Sequence, residues 1–209
     1  MERSYNAMQH GGILSTYQTE IETDTSQPKQ KASGFFRFLK DVLETLVLSV
    51  VLFVGINAVT ARIRVDGESM VPTLASGEYV IVNRLTYRLG SPQRGDIIVF
   101  HFPRDPKEEY IKRIIGLPGD EVEVKNGQVY INGQPLDETY LDVKMDYIGT
   151  WRIPAGQLFV LGDNRNNSSD SHDWGTVPMD YVVGKAILVY WPPPDWGLVG
   201  HVALATAVH

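Results

Sequence analysis

The sequence predicts a mainly β protein, built of antiparallel sheets and hairpins, behind one N-terminal transmembrane helix. Three observations carry that reading. A run of about 20 apolar residues, Val42 to Ala61, has the length a helix needs to cross a bilayer. Short β-branched and aromatic runs then recur between Gly, Asn and Pro turn signals. Between residues 62 and 191 there is no long helical period and no repeat of fixed length.

The segment before the span is polar, rich in Gln, Ser and Thr, and includes Gln27-Pro28-Lys29-Gln30-Lys31. It holds too little apolar surface to offset the entropy of ordering, so residues 1–35 read as a disordered tail. Residues 36–61 read as the anchor. Two other readings compete for the span: a buried core helix and a cleaved secretion signal, which Val59 and Ala61 would suit. Its all-round apolar character argues against the first, and the long preceding segment against the second. Lys29, Lys31, Arg37 and Lys40 precede the span and Arg62 and Arg64 follow it, which favours a cytoplasmic N-terminus.

Residues 62–195 read as the β-rich domain across the membrane. Strands are predicted at Tyr79 to Val82, Asp96 to Phe100, Tyr110 to Ile115, Glu121 to Lys125, Gln128 to Ile131, Gln157 to Leu161 and Val182 to Trp191. Asn126-Gly127 between two of them is a strong hairpin signal, and Asn132-Gly133 is a second turn of the same kind. Pro192-Pro193-Pro194 stops the last strand. Residues 196–209 form a short apolar tail, with three fates open: the membrane surface, packing on the domain, or disorder.

Composition narrows the chemistry. A net charge of −6 argues against nucleic acid as a partner. No cysteine is present, which excludes thiol nucleophiles, disulfides and cysteine zinc sites.

Three stretches hold reactive groups. Ser69 lies in Val65-Asp66-Gly67-Glu68-Ser69-Met70-Val71-Pro72-Thr73-Leu74, a turn that would present its hydroxyl beside backbone N–H groups. A serine beside Gly and Pro is more often a plain turn residue. Lys112 and Arg113 lie in Tyr110-Ile111-Lys112-Arg113-Ile114-Ile115. Strand alternation places Tyr110, Lys112 and Ile114 on one face and Ile111, Arg113 and Ile115 on the other. One of the two cations then sits among apolar groups, and burial lowers a lysine pKa toward that of a working base. Arginine stays protonated and cannot serve. The competing reading leaves both cations solvated on an edge strand. The third stretch, Gly162 to Gly175, is a dense polar loop, open to reading as a solvated connection or a calcium site. No Glu closes it in the EF-hand spacing.

These stretches, with Arg94-Gly95-Asp96-Ile97-Ile98-Val99-Phe100 and the continuation Gly116-Leu117-Pro118-Gly119-Asp120, share order, spacing and wording with the boxes of bacterial type I signal peptidases. The chain resembles that family of Ser-Lys dyad proteases from the span to about Trp191. The resemblance implies a signal-peptidase-like β domain and a membrane-bound endopeptidase. Such an enzyme removes N-terminal signal peptides from secreted precursors, cutting after small residues of Ala-X-Ala type. It implies Ser69 as nucleophile, Lys112 as general base, and the Ser168 hydroxyl as the group that orients Lys112. By the same resemblance Gly162 leaves room beside the ammonium, Asp163 pairs with Arg113, and Asp170 is a structural pairing residue. Ile63, Val65, Met70, Leu74, Tyr110 and Ile111 are implied as substrate-pocket walls. No cofactor and no metal are called for. The implied partners are signal-peptide-bearing precursors and the lipid bilayer. The plasma membrane is the expected location, with an internal membrane such as a thylakoid open.

Two positions depart from the family pattern. Gly67 stands where some relatives carry a serine whose hydroxyl helps form the oxyanion hole. Losing such a donor costs about 10²–10³ in rate, which calls for a compensating backbone or water donor. His172 stands where some relatives carry an arginine, making its pairing with Asp170 pH-dependent. Two readings compete with the protease. One is a self-cleaving Ser-Lys repressor, which needs a DNA-binding helical domain that the N-terminus does not offer. The other is a tethered β domain that only binds partners and would not need Ser69, Lys112 and Ser168 together.

Overall fold

The computed structural model describes residues 31–200 and 204. The tail expected over residues 1–35 lies mostly outside the described residues. The chain divides into two units, Met1–Leu48 and Ser49–His209, and all of the sheet structure belongs to the second.

Helix α1 runs Lys31–Val59. It starts five residues before the expected anchor and ends two residues before it, because Thr60 and Ala61 already belong to a strand. Within its stretch Gly34–Val59 the most apolar window has a mean hydropathy of 2.3 and none of it is buried, so the helix is long and apolar enough to cross a membrane. Three polar side chains, two within it and Thr60 just past its end, turn back on the helix. Thr45 Oγ1 donates to the Asp41 carbonyl, Asn57 Nδ2 to Phe53 and Thr60 Oγ1 to Ile56. Such back-bonding satisfies hydroxyl and amide groups where no water is available.

The second unit is antiparallel β structure. Its strands are β1 Thr60–Arg64, β2 Tyr79–Asn83, β3 Ile97–Phe102, β4 Asp105–Gly116, β5 Glu121–Lys125, β6 Gln128–Ile131, β7 Gln134–Pro135, β8 Gly149–Arg152, β9 Gln157–Leu161, β10 Val177–Pro178, β11 Val182–Trp191 and β12 Gly197–Leu198. Two short helices, α2 Thr86–Leu89 and α3 Ser171–Trp174, interrupt them. The larger sheet has the order β1-β2-β11-β3-β4-β9-β10, with β12 paired to β11, and the smaller has the order β7-β6-β5-β8.

Local sequence explains the pairing. β5 and β6 alternate buried and partly exposed residues, the pattern of a sheet with one wet face. Asn126 and Gly127 both adopt positive φ, as a two-residue hairpin requires. β3 is buried throughout its first four residues, because strands flank it and apolar layers cover both faces. Ile115, Phe159 and Leu161 of the larger sheet share one core with Val122, Val124, Val129 and Ile131 of the smaller. A second core gathers Val65, Met70, Leu74, Val80, Val82, Val99 and Ile111.

Of the fates open to the C-terminal tail, its described part packs on the domain. β12 pairs with β11, Val199 packs against the second core, and Leu204 is buried with the first.

Candidate active site

Ser69 is fixed from beneath. Met70 and Leu74 are fully buried, and Leu74 N–H donates to the Met70 carbonyl, so the turn carrying Ser69 is nailed to the second core. Gly67 has φ of +92°, a conformation a residue with a Cβ rarely adopts, and its N–H donates to Ser76 Oγ at 3.2 Å. From the other side, Asn164 N–H donates to the Ser69 carbonyl at 3.0 Å and Asn164 Nδ2 to the Glu68 carbonyl at 3.1 Å.

Lys112 comes from β4, opposite Ile98 of β3. It is 5% exposed, and its Nζ lies 2.8 Å from Ser69 Oγ and 3.0 Å from the Ile111 carbonyl. The same nitrogen lies 5.4 Å from the centre of the Tyr110 ring. Burial pulls the Lys112 pKa down from 10.5 to about 8, against the opposing charges of Asp170 and Asp163. The ammonium donates to Oγ; once it loses a proton, the amine can accept the Ser69 hydroxyl hydrogen.

Arg113 projects from the opposite face and is also fully buried. The reading in which both cations are solvated therefore fails: burial takes in both, and among the described residues only the arginine is matched by a carboxylate. Asp163 binds it in bidentate fashion, Nε to Oδ1 at 2.8 Å and Nη2 to Oδ2 at 2.7 Å. Thr73 Oγ1 donates to the same Oδ2 at 2.5 Å, joining the Ser69 segment to the polar loop.

The polar loop is a brace. Asp170 accepts from Gly162 N–H at 2.9 Å and from His172 N–H at 3.2 Å, and its Oδ1 lies 2.7 Å from His172 Nδ1. The bond to Asp170 raises the His172 pKa above its usual value, and Tyr147 stacks on the imidazole at 4.1 Å between centroids.

One implied role needs correction. Ser168 does not orient Lys112 in this structure: its Oγ is buried without a hydrogen-bond partner, and the Nζ bonds go to Ser69 and Ile111. Gly162 leaves room for Ser168 and for the segment that carries the nucleophile. A Cβ there would stand 2.2 Å from Ser168 Oγ and 2.5 Å from the Ser69 carbonyl oxygen.

A cleft of about 650 Å³ opens over the pair. Its walls are two strand edges. Among the described residues β1 pairs only with β2, and residues 105–112 of β4 pair only with β3. Ile63, Tyr110 and Ile111 line the cleft. Val65, Met70 and Leu74, expected as walls, lie in the core behind it, because the turn needs them as its anchor. Sequence reasoning missed Glu108, Glu109, Asn167 and Ser169, which also line the cleft. The two glutamates directly precede Tyr110 on the strand already singled out, and that adjacency was the available signal.

The chain is similar to known proteins. The family described as signal peptidase, peptidase S26, matches residues 39–191. A signal peptidase I of Leptolyngbya laminosa is 44% identical over 184 residues, 84% of this chain and 88% of its own. One from Bacillus caldolyticus is 42% identical, covering 78% of this chain and 94% of its own. A solved signal peptidase I of Enterococcus faecalis is 38% identical, covering 46% of this chain and 97% of its own, at a TM-score of 0.43. The chain belongs to the signal peptidase family, peptidase S26, and is a serine endopeptidase.

Proposed function

We propose that this chain is a membrane-anchored peptidase that removes N-terminal signal peptides from secreted precursors through a Ser69–Lys112 dyad. The observation that carries the reading is the 2.8 Å separation of Ser69 Oγ and Lys112 Nζ in a buried setting that lowers the lysine to about 8. A buried neutral amine within hydrogen-bond reach of a hydroxyl is a general base in place.

The steps follow from the positions. Lys112 takes the Ser69 proton as Oγ attacks the scissile carbonyl. The Ser69 backbone N–H donates to the developing oxyanion, while the Gly67 N–H is already engaged by Ser76. Lys112 then protonates the departing amine. A water that gives its proton to the same amine hydrolyses the acyl-enzyme and releases Ser69.

The two unpaired strand edges suit an extended precursor. Backbone bonds to such an edge give affinity, and alternate side chains enter pockets. Ile63, Tyr110 and Ile111 make those pockets apolar and shallow, since the core stands directly behind them. Small residues fit and large ones clash, which accounts for an Ala-X-Ala preference without charged recognition. Helix α1 anchors the enzyme with the Lys- and Arg-rich N-terminal side in the cytoplasm and the catalytic unit beyond the membrane.

The test uses the full chain in detergent micelles and a precursor with an Ala-X-Ala cut. Wild type is expected to cleave it, while Ser69→Ala and Lys112→Ala remain folded and do not. Normal processing by either variant overturns the dyad.

A further inference from the structure

Residues 137–147 connect β7 to β8 and contain no strand, yet they are tied down strongly. Leu136 and Met145 are buried in the first core, with Tyr140 and Tyr147 packed against it. What this strap covers is the polar loop that bears Gly162 and Asp163. Arg165 of that loop is 1% exposed, and Glu138 of the strap meets it in bidentate fashion, Nη1 to Oε2 at 2.7 Å and Nη2 to Oε1 at 2.5 Å. The remaining edge of the guanidinium is used too. Nε donates to the Gly162 carbonyl at 3.1 Å, and Nη2 also donates to Tyr140 Oη at 3.0 Å.

Tyr140 joins the two buried arginines. Its hydroxyl donates to Glu138 Oε1 at 3.1 Å, and the face of its ring lies 4.5 Å from the Arg113 guanidinium carbon. Burial raises the Tyr140 pKa, so the hydroxyl keeps the proton it donates. Asn166 fastens the loop to the strap a second time, accepting from Asp146 N–H at 3.1 Å and donating to the Lys144 carbonyl at 2.9 Å. The loop is therefore held between the strap on one side and the Ser69 segment on the other, where Asn164 and Asp163 make the bonds already described.

We propose that Glu138 is a positioning residue for the dyad: through Arg165 it fixes the Gly162–Asp163 peptide, and through that peptide the Ser69 segment. This rests on the dyad reading above. Charge explains why a carboxylate is needed. Two buried guanidiniums, Arg113 and Arg165, are matched by two carboxylates, Asp163 and Glu138. Without Glu138, Asp163 faces both arginines, and its hold on Arg113 and Thr73 weakens. The Ser69 carbonyl and the Gly162 Cα are in close approach, so a shift of that peptide displaces the nucleophile from Lys112. Glu138 does not line the cleft, so substrate binding does not depend on it.

The experiment measures kcat, KM and melting temperature of the full chain in micelles, using a peptide with an Ala-X-Ala cut. Glu138→Gln is expected to lower kcat by about 100-fold, the scale of an ångström-sized misplacement, with KM within about twofold. The double variant Glu138→Leu with Arg165→Met removes both buried charges. It is expected to recover the melting temperature lost in Glu138→Gln while kcat stays low, because nothing then holds the Gly162 carbonyl. Recovery of kcat together with stability shows a purely structural pair and overturns the proposal. So does full kcat in Glu138→Gln beside an active wild type. A wild-type chain that cuts no peptide refutes the dyad reading and this inference with it.

Discussion

The dyad geometry dictates a pH profile. Lys112 must be neutral to take the Ser69 proton, and burial moves its pKa from 10.5 to about 8. At pH 7 roughly 9% of the lysine is then neutral, against about 0.03% for an unperturbed side chain, a gain of about 300-fold in active base. The profile of kcat/KM, which reports the free enzyme, is expected to climb about tenfold per pH unit below 8 and to level above it. Between pH 6 and pH 9 the rise amounts to about 90-fold. Initial rates of the full chain in micelles on a single Ala-X-Ala peptide, with circular dichroism at each pH to confirm folding, give the curve. A flat profile from pH 6 to 10 refutes a lysine base. An inflection that vanishes in His172→Ala refutes it too, because it would place the titrating base at the imidazole beside Asp170 rather than at Nζ.

The burial that makes Lys112 a working base also costs stability, and the cost depends on pH. The folded pKa of Lys112 lies below its unfolded value, so between pH 8 and 10.5 the unfolded chain binds more protons and stability rises with pH. Below pH 8 the full penalty, about 3 kcal/mol, is present, so Lys112→Met is expected to melt higher than wild type at pH 7 and to lose that advantage by pH 10.5. A methionine variant that melts lower at pH 7 contradicts the lowered pKa. Gly162→Ala brings a Cβ to 2.2 Å from Ser168 Oγ and 2.5 Å from the Ser69 carbonyl oxygen. Overpacking of this kind costs about 1–3 kcal/mol, and the shift falls on the nucleophile. Cleavage by Gly162→Ala is expected to drop below a tenth of wild type, measured on the same peptide, and an unchanged rate would mean that the contact relaxes without moving Ser69.

Strands with clear turns on both sides were legible to the residue: Glu121–Lys125, Gln128–Ile131, Gln157–Leu161 and Val182–Trp191 run as the sequence predicts. β1 was not, because Thr60–Arg64 continues from an apolar helix without Gly or Pro to mark the change. β8 was missed for a related reason, its Gly-Thr-Trp-Arg being too short to show alternation. The wall residues show a further limit. Alternation puts Val65 on the same side as Ile63, but no pattern says whether a side chain lines a cleft or supports its floor. The Glu138–Arg165 pair is 27 residues apart in two irregular segments, and irregular segments carry no period from which to infer a meeting.

Lys112 and Arg113 show how much chemistry a single strand step can separate. Adjacent cations on one strand must face opposite ways, and here both faces are buried. A guanidinium cannot shed its proton, so its face had to supply a carboxylate, and Asp163 supplies both oxygens. An ammonium can shed its proton, so its face needs none. Among the described residues no carboxylate forms an ion pair with Lys112; Asp163 and Asp170 act on it only from farther away, raising a pKa that burial has lowered. A carboxylate within hydrogen-bond distance of Nζ would hold the proton and remove the base. The polar loop thus places its acids where they pair with Arg113 and cap α3, and leaves Ser69 as the side chain that Lys112 reaches.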